Sequence, residues 1–423
     1  MSDRPLRTRR EFLGKGLTLL GLGATVPLFI DELAWCLEDP LDVPLLTSRP
    51  GMPDHRVLVV IHLAGGNDGL NTVVPFRADE YYKSRPRIAI RPQDVLRLRG
   101  DLGLHPEARD LKALYDEGDL SVVLGVGYPN PNRSHFVSQE IWETASLDGK
   151  TTSGWIGRAL DHDCTKDDPA PADLAVALSR EPPQSFQGEI FQGLAVSELQ
   201  GLRFFAEGDP DLARAFVRLH EGRVERPGDS THLSYLTRVG LDARVAADKM
   251  QKALERRVTA EFPRSSFGQD LATVSRLIGA GLRTRVYSLT LGGFDTHSGQ
   301  VGRHGRLMRE LGQGLRAFVT DLRQQGQLDR VLVMAFTEFG RRVQENASQG
   351  TDHGEASPLF LAGGKIRPGL HGQPPDLRYL RRGDLVYTTD FREVYASVLK
   401  DWMGVEPASV LGRAVRPLRL IQA

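Results

Sequence analysis

RVLVVIHLAGGNDG, residues 56–69, joins an unbroken apolar run to a glycine-rich turn that carries an acid. A run that is apolar at every position, rather than at alternate ones, fits a strand buried on both faces, as parallel sheets demand. Four more such runs follow: LSVVLGV from Leu120, TRVYSLTL from Thr284, RVLVMAF from Arg330 and PLFLAGG from Pro358. Helical patterns lie between them. Leu111, Leu114 and Tyr115 share one side of residues 106–117, and Leu307, Leu311, Leu315, Phe318 and Leu322 form one stripe along 304–325. Strands that alternate with helices predict an α/β sandwich around a mainly parallel sheet.

Ligands of an open α/β sheet gather beyond the carboxyl ends of its strands, so the residues after each run are the candidates for chemistry. They are Asp68 in the first turn, Ser134 and His135 after the second run, and Asp295 with His297 after the third. Glu338 and Arg341 follow the fourth run. TDHGEASP, residues 351–358, then places Asp352 and His353 in a loop of small and turn-forming residues. Asp68, Asp295, His297, Glu338, Asp352 and His353 make an oxygen and nitrogen ligand set without sulfur. Such a set suits zinc, manganese, magnesium or calcium.

Each member also has an ordinary role. Asp68 can serve the backbone amides of its own turn, and Asp295 with His297 can be a surface turn. Ser134 precedes a helical pattern containing Ile141 and Trp142, so it can cap that helix; a helix start also favours a serine alkoxide or a bound anion. His135 either binds substrate or helps the turn. A guanidinium fork matches phosphate or sulfate oxygens, which makes Arg341 a candidate; Arg133 reads as a surface residue. Asp390, three residues before Glu393, reads as a helix cap.

Composition narrows the function classes. The 423 residues are 40% hydrophobic and 26% charged, and 54 basic residues balance 54 acidic ones. No basic stripe dominates, so nucleic acid is not an expected partner. Cys36 and Cys164 are the two cysteines, too few for a disulfide scaffold or a cysteine-rich zinc module.

The amino-terminal stretch contains Thr8-Arg9-Arg10-Glu11-Phe12-Leu13 before an apolar segment from about Gly16 to Ile30. The pattern resembles a twin-arginine export signal, and its apolar run is shorter than the roughly 20 residues a membrane-spanning helix needs. The expected organisation is a signal over 1–35, a linker over 36–55, a first core segment over 56–164 and a second over 266–415. Residues 165–265, proline-rich and then polar and helical, read as an insertion or cap.

HLAGGNDGLNTVVP, NRSHFVSQEIWE, GGFDTHSGQ, FTEFGRRVQEN, GTDHGEASPLFLAGGKIRPG and TTDFREVYASVL, in that order after the export signal, resemble the bacterial family called domain of unknown function 1501. That family is placed by likeness within the alkaline phosphatase and sulfatase superfamily. The resemblance implies an alkaline-phosphatase-like three-layer sandwich and a metal-dependent hydrolase. It also implies that Asp68 matches the acid after the first strand, Ser134 the nucleophile, Asp295 and His297 a metal-binding pair, and His353 a further metal ligand.

The motifs depart from the superfamily pattern in three places. Asp295-Thr296-His297 replaces an acid and histidine spaced by three residues, and Glu338-Phe339 stands where Asp-His is usual. No Cys-x-Pro-x-Arg motif occurs, which argues against a formylglycine sulfatase.

The expected function is an exported hydrolase of phosphate or sulfate esters. It would use one or two divalent ions (zinc, manganese, calcium or magnesium) with Ser134 or a water as nucleophile. Asp68, Asp295, His297, Glu338 and His353 would be ligands, and Asp352 either a ligand or the acceptor that orients an imidazole. The expected partners are a phosphate- or sulfate-bearing small molecule or glycan, and the twin-arginine translocase during export. The expected location is periplasmic or extracellular, with a tether through an uncleaved signal left open. The competing expectations are a non-catalytic envelope binding protein on the same fold, and a structural calcium site.

Overall fold

The computed structural model describes residues 55–162, 172–197 and 249–422. The expected export signal, nearly all of the linker and most of the expected insertion lie outside these residues. Among the described residues no helix is long and apolar enough to cross a membrane.

In chain order the main elements begin with β1 (Val57–Leu63), α1 (Arg109–Glu117), β2 (Leu120–Gly127), α2 (His135–Thr144) and α3 (Trp155–Asp161). β3 (Ala175–Ala177), β4 (Leu194–Ala195), α4 (Ser266–Gly279), β5 (Val286–Leu291) and α5 (Gln300–Gln324) follow. β6 (Val331–Phe336), β7 (Ser357–Gly363), β8 (Gly369–His371), β9 (Thr389–Asp390) and α6 (Phe391–Ser397) complete the set.

The strands form one sheet in the order β8-β2-β7-β6-β1-β5-β3-β4, with β9 also pairing β2. Every described pairing in it is parallel except those of β7, which runs antiparallel to both β2 and β6. Apolarity could not have revealed that reversal, because a strand buried on both faces reads the same in either direction. The consequence is functional: β7 enters the sheet from the carboxyl edge of its neighbours, so the loop before it lies over that edge. Residues 172–197, within the expected insertion, supply β3 and β4 at the sheet's other side.

Side chains alternate across each strand and build two cores. Val57, Val59, Ile61 and Leu63 of β1 pack with Leu111 and Leu114 of α1, Leu271 and Leu277 of α4, and Leu311, Leu315 and Phe318 of α5. Leu58 and Val60 point the other way, into Trp142, Trp155, Phe391 and Tyr395. Three layers result, with the sheet in the middle. Each fully buried aliphatic side chain stabilises by about 1.5–3 kcal/mol relative to exposure, so this pattern outweighs local preferences.

Local signals agree with the packing. Asp390 and Glu393 form a capping box at the start of α6, as their spacing predicts. The helix continues into a π-helical turn, Val398–Met403, whose Trp402 donates from its indole nitrogen to the Val57 carbonyl at 3.2 Å and so ties the end of the chain to β1.

Candidate metal centre

Loops that leave β2, β5 and β6 meet the loop entering β7 at the carboxyl edge of the sheet. Asp295 is at the centre of the meeting. Its Oδ1 lies 3.1 Å from His297 Nε2, 3.1 Å from His353 Nε2 and 3.7 Å from His135 Nε2. The two nearer imidazole nitrogens are 2.9 Å apart. Ligand atoms of His135, Asp295 and His353 all fall within 4.8 Å of one another.

The other ring nitrogens decide what these atoms present. His353 Nδ1 lies 2.8 Å from the Arg133 carbonyl, His135 Nδ1 2.8 Å from Glu338 Oε1, and His297 Nδ1 3.1 Å from Asp352 Oδ1. A carbonyl or a carboxylate accepts only, so each Nδ1 carries the hydrogen, and each ring in its neutral form turns a bare Nε2 lone pair toward Asp295. Burial, together with the nearby positive charge of Arg341, lowers the pKa of His353 and favours that neutral form.

Asp295 stays ionised. Burial works against this, but the hydrogen bond and the positive charge of Arg341 lower its pKa on balance. Three lone pairs and a carboxylate converging at these distances repel unless a cation is among them. The donor set therefore fits a divalent ion, with nitrogen and oxygen ligands and every imidazole oriented by a fixed acceptor.

Glu338 lies behind the group and is nearly buried. Its Oε1 accepts from Gly65 N at 2.9 Å as well as from His135, and its Oε2 accepts from His62 Nε2 at 3.0 Å. Burial opposes its ionisation, but the hydrogen bonds of His62 and His135 bring its pKa down to about 2. Its backbone carbonyl is held as well, by Ser138 Oγ at 2.6 Å and Trp142 Nε1 at 2.9 Å. Both carboxylate oxygens are thus spent on protein donors. The His62 ring stacks on Phe336, and Phe336 on Trp142, which fixes the donor.

Arg341 is buried and braces the loops rather than facing outward. It donates to the carbonyls of Gly66 (2.7 Å), Thr351 (2.8 Å), Phe294 (3.1 Å) and Gly65, and to Asp295 Oδ1 at 2.6 Å. Gly65 permits the closure: its φ is +118°, and a Cβ there would lie 2.3 Å from the Asp295 amide nitrogen.

The seven sequence candidates for the site separate as follows. Asp295, His297 and His353 come together. Asp352 orients His297, and accepts from Asn346 Nδ2 at 3.2 Å. Glu338 orients His135. Ser134 is exposed at the start of α2, beside His135; its side chain makes no capping bond.

Asp68 stands apart in a buried network. It caps the short helix Gly69–Thr72, pairs with Arg85 at 2.6 Å and accepts from Gln300. Gln300 in turn accepts from Thr296 Oγ1 (3.0 Å) and Thr351 Oγ1 (2.6 Å), so this network props the loops of His297 and His353 from below.

The local sequence assigns His135 no metal role and does not mark out His62. His62 carried a signal, since a histidine inside a strand buried on both faces must be hydrogen-bonded to be tolerated. For His135, no local pattern distinguishes a ligand from a turn residue.

The model of the family described as "Protein of unknown function (DUF1501)" matches residues 123–410. No curated protein matches the chain. Among solved structures, the chain is similar to a protein in the alkaline phosphatase superfamily from Vibrio parahaemolyticus, with 10% identity, 97% of this chain and 80% of that chain covered, and a TM-score of 0.37. It is similar to the lipoteichoic acid synthase LtaP from Listeria monocytogenes (10% identity, 80% and 73% covered, TM-score 0.32). It is also similar to the C-terminal periplasmic domain of EcEptC from Escherichia coli in complex with zinc (10% identity, 74% and 74% covered, TM-score 0.29). The family match spans more than half of the sequence and runs from within β2 past α6, taking in His135, Asp295, His297, Glu338, Asp352 and His353, and on it this chain belongs to the DUF1501 family.

Proposed function

We propose that this protein is a metal-dependent hydrolase of phosphate or sulfate esters, exported by the twin-arginine route to the periplasm or beyond. The observation that carries the reading is the convergence of three Nε2 lone pairs on one ionised carboxylate, each ring held by its Nδ1 hydrogen. His135, Asp295, His297 and His353 would hold the ion. When bound, a divalent cation supplies a Lewis acid for the ester oxygens.

The chain's own residues do the rest. Glu338, Asp352 and the Arg133 carbonyl keep the three rings aimed, so little reorganisation is needed at the moment of reaction. Arg341 fixes Asp295 and acts through it. Ser134 is exposed, directly precedes His135 and begins a helix of ten residues, whose amides favour negative charge. It is the nucleophile we favour: its oxygen bonds to phosphorus or sulfur as the ester's alcohol departs, and water later releases the anion.

The test combines metal analysis of the purified protein with a screen of phosphomonoesters, phosphodiesters and sulfate esters in zinc, manganese, magnesium or calcium. We expect at least one bound ion and turnover of one ester class. Silence in every metal would overturn the enzyme reading and favour an envelope binding protein on the same fold.

A further inference from the structure

Four guanidinium groups surround two buried carboxylates on the His353 flank of the centre. Arg133 pairs with Asp384 and lies 3.9 Å from Glu355; Arg381 pairs with Glu355 at 2.5 Å; Arg342 Nε lies 3.7 Å from Asp384. The carboxylates are 8% and 0% exposed, whereas the side chains of Arg133, Arg342 and Arg381 are 36%, 38% and 38% exposed. Arg382 is exposed and makes no hydrogen bond or ion pair with the described residues.

Two cations would neutralise Glu355 and Asp384, and the remaining positive charge faces solvent. Asp352 also feels Arg342, but it is engaged by His297 and Asn346. The crowding has an electrostatic cost: burial, then the neighbouring charges of Arg342, Arg382 and Arg381, lower the pKa of Arg133.

The backbone supplies a second observation. Leu380–Arg381 and Asp384–Leu385 pair as a hairpin, leaving Arg382 and Gly383 as its two-residue tip, with φ of 55° and 82°. Two left-handed residues in that position belong to a type I′ turn, whose first place is normally taken by Asn, Asp or Gly. An arginine there is disfavoured and gains no partner in return. A residue held in an unfavourable conformation without a structural reward points to function.

The cluster is also built into the centre. The Arg133 carbonyl orients His353, and the Arg342 amide donates to the Asp352 carbonyl at 2.9 Å.

We infer that Arg133, Arg342, Arg381 and Arg382 form an anion subsite that receives a second phosphate or sulfate group of a polyanionic substrate, whose scissile ester lies at the imidazole centre. Planar guanidinium forks match the oxygens of both anions. A substrate carrying a single anionic group would leave this charge unused. The inference rests on the ester-hydrolase reading for the second half of that statement and on the arginine cluster for the first, and the two can fail separately.

The experiment measures binding of inorganic polyphosphate, dextran sulfate and uncharged dextran to chelator-treated full-length protein by calorimetry, at low and moderate salt. Wild type and Asp295→Asn should both bind at least one polyanion, more weakly as salt rises, and should ignore dextran. Arg342→Gln/Arg382→Gln should weaken binding about tenfold or more. Arg382→Asn, which suits the turn, should weaken binding while leaving thermal stability equal or higher, an effect no purely structural role would produce.

Preference for polyphosphate or for dextran sulfate identifies the anion. Equal binding by wild type and the double variant, or none by wild type, overturns the subsite. Normal polyanion binding with no ester turned over would instead overturn the hydrolase reading and leave the subsite standing.

Discussion

His297 and His353 face each other through their Nε2 atoms at 2.9 Å, although 56 residues separate them in the chain. Both Nδ1 atoms hold their hydrogens on acceptors that cannot donate, so in the neutral form of the rings neither Nε2 has a proton to share. A bound cation turns this repulsive contact into a favourable one.

Removal of either ring should therefore cost metal and little else. His353→Ala and Asp295→Asn are expected to weaken divalent-ion affinity by roughly 100-fold or more, while Glu338→Gln, which removes no ligand and reaches the ion through its support of His135, should cost roughly 10–100-fold. Calorimetric titration of chelated protein checks the order. Equal affinities across the series would contradict the ligand assignment.

Ser134 tests the chemistry apart from the ion. Ser134→Ala should retain bound metal and lose ester turnover by a factor of roughly 10³ or more if the hydroxyl is the nucleophile. Retained turnover in this variant would transfer the attack to water.

Arg341 is expected to matter for stability as well as for metal. Arg341→Ala strips donors from four backbone carbonyls and from Asp295, and loss of such a buried charged partner costs about 3–5 kcal/mol. Lysine cannot reproduce the fork, so Arg341→Lys should recover little of it. Urea denaturation measures both.

Glu338 makes the fold sensitive to acid. Its pKa drops from 4.5 to about 2 on folding, so its full contribution is present above 4.5. Between 4.5 and 2 the unfolded chain binds a proton that the folded one refuses, and stability falls. At about 1.4 kcal/mol for each unit of pH, the loss is about 3 kcal/mol. Denaturation from pH 7 to 3 should show a shallower decline for Glu338→Gln than for wild type; parallel curves would refute the assignment.

Much of the architecture is written in local pattern. The doubly apolar runs, the stripe along α5 and the Asp390–Glu393 spacing each reflect a free-energy term that acts within a few residues, so they specify strands, helix and cap without reference to the rest of the chain. The same logic places candidate chemistry after strand ends, which is why Asp295, His297 and His353, which the fold brings together, stand out as candidates.

Tertiary structure alone decided the assembly. It set β7 against its neighbours and brought the loop before it over the sheet's carboxyl edge. It added His135 and His62, turned Glu338 and Asp352 into supports, withdrew Arg341 to hold Asp295, and sent Asp68 to Arg85. Burial and residue type report whether a side chain needs a partner; only the path of distant loops determines which partner is in reach.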